Sequence, residues 1–232
     1  AVYENGYVTI MKGTWKIRVD KVTNIPITFG GKAEFNIANV LPAILATYLS
    51  DFKIEDIRLA LETFVPSPVQ TPGRMNIFHF KNFAVMADYA HNAHGMEAIG
   101  KFVQKIDATK KVGVIAGVGD RRDEDTIALG VEAAKVFDEI IIRQDKNLRG
   151  KSEAEIIALL TKGIHSVKND LKIIAIKTER EAIAFAIRNA IKGSFVVIIN
   201  DVVDNALGQI QELKEAEDSG KLTIDGLNDW VI

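Results

Sequence analysis

The chain has 232 residues, no cysteine and a formal net charge of −2, with 47% hydrophobic and 26% charged residues. The lack of cysteine excludes disulfides and thiolate metal sites, and the lack of a basic excess gives no reason to expect a nucleic-acid partner. No apolar run approaches the roughly 20 residues that span a bilayer, so we expect a globular protein of the cytoplasm. The sequence opens within strand-like residues rather than with methionine, so we also expect a fragment of a longer protein.

The amino-terminal part of the sequence predicts β-hairpins followed by two helices. Residues 1–30 alternate between short apolar runs and turn residues, which is typical of hairpins but offers too little apolar surface for a core. Apolar residues at helical spacing predict helices over 36–50 and 53–64. Pro42 lies inside the first helix, so we expect a bend there or a late start near Asn39.

A proline-rich segment follows these helices. Residues 65–73 hold three prolines and one glycine, a composition that cannot continue as a helix. We therefore predict a hinge over 66–72, between an incomplete first domain over 1–65 and a complete second domain over 73–232.

From residue 76 onward, apolar strands alternate with helical segments. Nearly continuous apolar strands are typical of a sheet covered on both faces, and helical crossovers make such a sheet mostly parallel. We predict a Rossmann-like α/β fold with six strands, mostly parallel, and helices on both faces. The predicted strands cover 76–80, 83–87, 112–116, 139–142, 172–176 and 195–199, and the predicted helices lie near 94–106, 126–137, 152–163, 179–191 and 203–216.

Charged residues concentrate in the loops that follow the predicted parallel strands. Because the carboxyl ends of parallel strands share one edge of the sheet, we expect these loops to converge where ligands of open α/β sheets bind. Ordinary solvated loops carry similar charge, and this alternative stays open. The loops hold Asp88 with His91, the run Gly117–Arg122, the run Arg143–Gly150, and Asn200 with Asp201.

Arg74 and Asp88 flank the predicted hairpin of residues 76–87. A cation before the hairpin and a carboxylate after it could hold a charged ligand between two lobes. The simpler alternatives are an ordinary surface ion pair and a helix cap formed by Asp88.

Gly117 and Gly119 resemble the start of a dinucleotide fingerprint. Arg122 replaces the third glycine of that fingerprint, which disfavours NAD binding. We expect the two glycines to let the backbone turn sharply and to place Asp120 and Arg121 at the sheet edge.

Asp145 and Arg149 lie on one predicted loop. Together they suit an amino-acid substrate, because a carboxylate binds a cation and a guanidinium binds a carboxylate through two parallel hydrogen bonds. The alternative is a local salt bridge of little consequence.

Other site types lack support in the sequence. None of the four histidines forms a metal-binding pair at i, i+4 spacing, and His91 with His94 has no obvious third ligand. The sequence contains neither a Gly-x-Ser-x-Gly elbow nor a Gly-x4-Gly-Lys-Ser/Thr phosphate loop.

Five motifs, in order, resemble the Mur ligase family. Within that family, the last two resemble the carboxyl-terminal, Mur-ligase-like part of the cyanophycin synthetase branch. The resemblance covers most of the chain and is weakest toward its carboxyl terminus. The motifs are Gly30–Asn39, Thr71–Asn76, Asp88–Asn92, Gly119–Asp125 and Leu148–Lys151.

The resemblance implies a ligase that uses ATP and Mg²⁺ to join an amino acid to a carboxylate through an acyl-phosphate. Residues 1–65 would be the tail of its central P-loop domain, and residues 73–232 its Rossmann-like terminal domain. In the cyanophycin branch, arginine is added to aspartate side chains of an Asp–Arg polymer. Because the phosphate loop is missing from the sequence, we expect the chain alone to be inactive and to need an upstream P-loop for full binding of ATP and Mg²⁺.

The same resemblance implies roles for individual residues. The implied ATP contacts are Asn36 and Asn39 with the adenine, Asp88 with the ribose and Arg74 with the phosphates. The residues implied to line the cleft are His91 and Asn92. The residues implied to face the incoming amino acid are Asp120, Arg121, Asp145 and Arg149.

Two alternatives remain open at this point. The chain could be a non-catalytic module that binds a nucleotide, an amino acid or a partner protein. It could also belong to a folate-type or peptidoglycan-type Mur ligase, which shares the fold. The sequence leaves the oligomeric state and the amino acid that is added open.

Overall fold

The computed structural model describes residues 1–144 and 150–225, and the chain divides into two compact units, Ala1–Pro66 and Ser67–Ile232. Each unit has an apolar core of its own. None of the helices in the described part of the chain combines the length and the apolar character that a bilayer span requires.

The first unit is a three-stranded antiparallel sheet with two helices, as the sequence predicts. Its elements are β1 (Val2–Glu4), β2 (Tyr7–Lys12), β3 (Trp15–Lys21), α1 (Glu34–Leu49) and α2 (Ile54–Thr63). The three strands pair in chain order.

The first helix contradicts the expected late start near Asn39. Helix α1 begins at Glu34 and runs through Pro42 without interruption. A proline removes only one backbone donor, and Pro42 lies on the exposed side of the helix, away from the core positions Ile37, Val40 and Ile44. The remaining turns and the packing of the apolar face therefore suffice to keep the helix continuous.

The second unit alternates strands and helices, and the predicted α/β fold is confirmed. Its strands are β4 (Asn76–His79), β5 (Ala84–Asp88), β6 (Lys111–Ile115), β7 (Glu139–Arg143), β8 (Lys172–Ile176) and β9 (Phe195–Ile199). Its helices are α3 (Ala93–Gln104), α4 (Asp123–Ala134), α5 (Glu153–His165), α6 (Glu179–Arg188) and α7 (Val203–Asp218).

The six strands form one sheet in the order β4-β5-β9-β6-β7-β8. Strand β4 pairs antiparallel with β5, and the other four pairings are parallel. The last strand, β9, is thus inserted between β5 and β6, so that the ends of β5 and β9 are neighbours although about 110 residues separate them.

Helices cover both faces of this sheet. Helices α6 and α7 pack against one face, where their apolar residues join alternate residues of β5, β6 and β9 in one core cluster. Helices α3, α4 and α5 pack against one another on the opposite face. The loops after β9 and β6 therefore leave the sheet toward opposite faces, which is the topology at which ligands of open α/β sheets bind.

Candidate functional site

Most of the residues that the sequence analysis singles out in the second unit lie at one edge of the sheet. Asp88 ends β5, the run Gly117–Arg122 follows β6, Arg143 ends β7, and Asn200 follows β9. Because β5, β9, β6 and β7 are parallel neighbours, these four positions share the carboxyl edge. The expected convergence of the loops is therefore present among the described residues.

Asp88 is buried and each of its carboxylate oxygens accepts a backbone hydrogen bond. Met75 N donates to Oδ2 at 2.9 Å and Ala90 N donates to Oδ1 at 2.8 Å, while 5% of the residue is exposed. Burial raises the pKa of Asp88, and the two amide hydrogen bonds and nearby Arg74 offset part of that rise. The helix cap of the sequence analysis is wrong for Asp88, because Asn92 caps α3 by accepting from Gly95 N at 2.7 Å.

Arg74 lies on the surface beside the Tyr89 ring, which in turn lies next to the His91 ring. Its guanidinium carbon is 5.6 Å from the centroid of the Tyr89 ring, and the Tyr89 and His91 rings are 5.4 Å apart. His91 Nδ1 lies 3.2 Å from the Tyr89 carbonyl oxygen, which accepts when Nδ1 carries the proton. The arrangement presents one cation and one imidazole next to the end of β5.

The loop after β6 is tied to the start of α5. Lys151 Nζ donates to the Arg121 carbonyl oxygen at 2.6 Å and forms an ion pair of 2.8 Å with Asp123. Arg122 forms a bidentate pair with Asp125 at the exposed start of α4. Asp120 and Arg121 are exposed at this edge, as expected from the sequence.

The proposed reason for Gly117 is wrong. Its φ does not lie in the left-handed region, so no turn there requires glycine. A Cβ at this position would lie 2.5 Å from Ile156 Cγ2 of α5. Glycine is needed because α5 packs closely against the loop and leaves no room for a side chain. The residue thus serves helix–loop packing and not a turn of the backbone.

A cleft that the sequence analysis did not foresee opens at the carboxyl ends of β7, β8 and β9. It has a volume of about 630 Å³ and lies between the first turn of α6 and the amino-terminal half of α7. The charged residues that line it are Arg143, Glu153, Lys177, Glu179, Arg180, Asp201, Asp204 and Glu212.

A buried ion pair forms the floor of this cleft. Arg143 Nε lies 3.1 Å from Glu179 Oε2, with 5% and 18% of the two side chains exposed. The Arg143 guanidinium also donates to the Ile199 carbonyl oxygen, and Asp201 N donates to Glu179 Oε2 at 2.9 Å. The sequence did contain a signal for this site, because Arg143 is a charge at the end of the apolar strand Glu139–Arg143.

Two buried amide side chains at the same edge have unsatisfied atoms. Neither Oδ1 nor Nδ2 of Asn200 has a hydrogen-bond partner among the described residues, and 2% of the residue is exposed. Gln144 Oε1, at the rim of the cleft, is likewise unsatisfied within the described ranges. Such groups are rare in native proteins and indicate a place where water or a ligand supplies the missing bonds.

The two asparagines of α1 differ in what they can reach. Asn36 is buried and donates from Nδ2 to the Ile27 carbonyl oxygen at 2.8 Å. Asn39 is exposed and lines an apolar groove of about 330 Å³ between α1 and α2. Of the two, Asn39 is the one with a side chain available to an external group, and the adenine contact of both stays a prediction.

Two predicted site residues, Asp145 and Arg149, lie outside the described residues. Within 1–144 and 150–225, no three His, Asp or Glu side chains are grouped so that they could hold a metal ion. The described residues therefore do not fit a Mg²⁺ site of their own.

A comparison with protein families matches residues 73–199 to the Mur ligase, glutamate ligase domain. The chain is 42% identical over 234 residues to the cyanophycin synthetase of Trichormus variabilis, covering 98% of this chain and 26% of that protein. It is 30% identical over 186 residues to the UDP-N-acetylmuramoyl-L-alanyl-D-glutamate–2,6-diaminopimelate ligase of Caldanaerobacter subterraneus, covering 79% of this chain and 36% of that protein. The chain thus spans about a quarter of the length of the cyanophycin synthetases that it matches.

Solved structures with the same fold include the MurF crystal structure from Acinetobacter baumannii. The TM-score is 0.59 at 19% identity, and the match covers 78% of this chain and 38% of that chain. At this identity the similarity concerns the fold alone.

Proposed function

Because the chain belongs to the Mur ligase family, we propose that it forms part of an ATP-dependent ligase that adds arginine to the aspartate side chains of an Asp–Arg polymer through an acyl-phosphate. Support comes from the cyanophycin synthetases to which the chain is similar over nearly its whole length. The observation that carries the choice of arginine is the carboxylate-rich cleft at the ends of β7, β8 and β9.

The cleft suits a substrate with a cationic end. Once the Arg143–Glu179 pair is set aside, four carboxylates and two cations line its wall. Asp201, Asp204 and Glu212 are all exposed or nearly so and belong to α7 or to the loop before it. A guanidinium offers five donors in a planar fork that matches carboxylate oxygens, so this wall would hold an arginine side chain better than a neutral one.

The nucleotide belongs at the β5 end of the same edge. Arg74 presents an exposed guanidinium there, which would face the phosphates of ATP. His91 lies against the Tyr89 ring over which Arg74 is placed, and Asn92 caps the helix that follows. Asp88 accepts from the backbone of Met75, next to Arg74. Asp120 and Arg121 follow β6, on the other side of β9, and are proposed to face the incoming amino acid together with Asp145 and Arg149.

Substrate binding tests the arginine assignment directly. We expect calorimetry to show binding of L-arginine to the chain and no binding of L-citrulline, which has the same shape without the charge. Asp204→Asn should weaken arginine binding about tenfold, because a charge-assisted hydrogen bond contributes roughly 1.5–3 kcal/mol. The matched control is Asp170→Asn, an exposed aspartate before β8 at the opposite edge of the sheet. Equal affinities for arginine and citrulline would contradict the assignment.

A turnover assay tests the need for a phosphate loop. The chain alone, supplied with ATP, Mg²⁺, arginine and an Asp–Arg primer, should release no phosphate, because nothing in its sequence matches the loop that cradles the β- and γ-phosphates. Sustained phosphate release by the chain alone would overturn this expectation.

A further inference from the structure

Asp88 connects two segments that are distant in the sequence. Its carboxylate accepts from Met75 N on one side and from Ala90 N on the other, at 2.9 and 2.8 Å. Its own carbonyl oxygen accepts from Asn200 N at 2.9 Å, which attaches the end of β5 to the end of β9. Each carboxylate oxygen keeps a second lone pair, but with 5% of the residue exposed its hydrogen-bond partners within the described residues are backbone amides.

The loop held by Asp88 adopts a conformation that it would not keep unaided. Gly73 and Met75 both lie in the left-handed region, with φ of 69° and 48°. For a non-glycine residue such as Met75 that conformation is costly and persists only when surrounding contacts impose it. The contacts here are the Asp88–Met75 bond, Tyr89 N donating to the Gly73 carbonyl oxygen at 2.9 Å, and Gly73 N donating to Asn76 Oδ1 at 2.7 Å.

Arg74 lies between these two left-handed residues. The direction in which its side chain leaves the backbone is therefore set by the same contacts, and its guanidinium comes to rest over the Tyr89 ring. Tyr89 is in turn the residue between Asp88 and Ala90, so one carboxylate holds the backbone on both sides of the Arg74–Tyr89 pair.

We propose that Asp88 is a positioning residue, which fixes the Gly73–Met75 loop through its backbone hydrogen bonds and so aims Arg74 at its anionic ligand. The proposal rests on the proposed function in one respect, the ATP phosphates that Arg74 would bind. It gives Asp88 a role in addition to any direct contact with the ribose, because part of its effect on nucleotide binding would pass through Arg74.

A ligand-free measurement tests the positioning itself. In the wild-type chain, the Arg74 Nε–H resonance should be shifted upfield by the Tyr89 ring current, and Tyr89→Leu should abolish that shift. Asp88→Asn should also abolish it, because an amide nitrogen faces the Met75 N–H in place of an acceptor oxygen. An unchanged Arg74 resonance in a folded Asp88→Asn chain would overturn the proposal.

Glu217→Gln is the matched control for this measurement. Glu217 is a second buried carboxylate of the same unit that accepts a backbone hydrogen bond, from Lys81 N at 3.0 Å, and it belongs to α7 far along the chain from Arg74. The control should leave the Arg74 resonance in place. If Asp88→Asn alone does not fold, Met75→Gly in the same background removes the left-handed penalty and allows the resonance to be read.

A double-mutant cycle separates positioning from direct contact when ATP is the probe. Arg74→Ala and Asp88→Asn should each weaken ATP binding by about tenfold, and the loss in the double variant should be clearly smaller than the product of the two single losses. Independent, multiplicative losses would overturn the proposal in favour of a ribose contact. If the wild-type chain binds no ATP, its lack of a phosphate loop accounts for that result, and the resonance measurement alone decides whether Asp88 aims Arg74.

Discussion

The β5 end and the β7–β9 end of the same sheet edge are built differently. At the β5 end, the polar groups of Asp88 and Asn76 are satisfied by backbone amides and carbonyls, and one exposed cation remains. At the β7–β9 end, a buried ion pair supports an open cleft of about 630 Å³ whose walls are charged. The first arrangement fixes the position of a single side chain before any ligand binds. The second provides a cavity with charged walls that a ligand can occupy.

This difference suggests that the two ends of the edge have different roles in binding. A group that must meet a phosphate at one place gains from a rigid backbone, because little ordering remains to be done on binding. A cleft that accommodates a long side chain needs volume and complementary charge instead. The four predictions that follow alter one end or the other, beginning with the largest expected effect.

The ion pair under the cleft should be the most sensitive feature. Glu179→Gln leaves Arg143, which is 5% exposed, without its carboxylate and should lower the free energy of unfolding by about 3 kcal/mol. Urea titration at neutral pH measures the loss. Glu212→Gln is the control, since that carboxylate is 70% exposed and 4.0 Å from Arg180, and should change stability by less than about 0.5 kcal/mol. Similar small effects for both would show that the pair does not support the cleft.

At the β5 end, Gly73 in the loop before β4 should not tolerate substitution by a residue with a side chain. Gly73→Ala places a Cβ in the left-handed region and about 2.7 Å from Val203 Cγ2, so we expect a loss of about 2 kcal/mol. Gly220 is a matched control in the same unit, with a φ of 71° and no atom within 4 Å of the added Cβ. Gly220→Ala should therefore show the conformational penalty alone, and an equal loss in both variants would exclude any contribution from the Val203 contact.

These two ends also differ in how far the sequence could predict them. Asp88 and His91 were found because they follow an apolar strand directly, and local pattern suffices for that. The Arg143–Glu179 pair cannot be predicted in this way. It forms only because α6, which follows β8 in the chain, begins beside the end of β7, and this placement depends on the order of the strands in the sheet. Hydrophobic periodicity identifies strands and helices but does not say that β9 inserts between β5 and β6.

Packing explains the remaining differences between expectation and structure. Pro42 predicts a bend or a late start of α1, and the late start is wrong, because one lost donor on the exposed side does not outweigh the buried apolar stripe of that helix. The sequence pattern predicts that Gly117 is a turn residue, whereas in the structure its lack of a side chain leaves space for Ile156. In both cases a rule about single residues was overridden by contacts between elements that are distant in the chain.

Asn200 follows β9, between the two ends of the edge. Replacing its amide by an apolar group should stabilise the fold. Asn200→Leu has nearly the same shape and removes two buried polar atoms that have no partner among residues 1–144 and 150–225, so the free energy of unfolding should rise by about 1 kcal/mol. Thermal and urea unfolding both measure it. Asn200→Asp, which buries a charge at the same place, should instead be destabilising. A loss of stability in the leucine variant would indicate that ordered water already satisfies the amide.

The smallest expected effects are changes in stability at acid pH, and these changes should have opposite signs at the two edges of the sheet. Glu139 begins β7 at the amino edge; burial would raise its pKa, but ion pairs with Lys110 and Lys172 outweigh burial and lower the pKa below its usual 4.5. Its contribution to stability is thus present above that value and is lost as pH falls through the lowered pKa. The pKa of Asp88 is raised above its usual 3.8 by burial, so its contribution is present below that value and is lost as pH rises through the raised pKa.

Two variants separate these contributions. Between about pH 6 and 3, the stability difference between the wild-type chain and Glu139→Gln should shrink as pH falls, while the difference between the wild-type chain and Asp88→Asn should grow. Urea titrations at fixed ionic strength provide both curves. If the two differences change in the same direction, then the amide hydrogen bonds to Asp88 outweigh its burial, and the β5 end holds a carboxylate that prefers to stay charged.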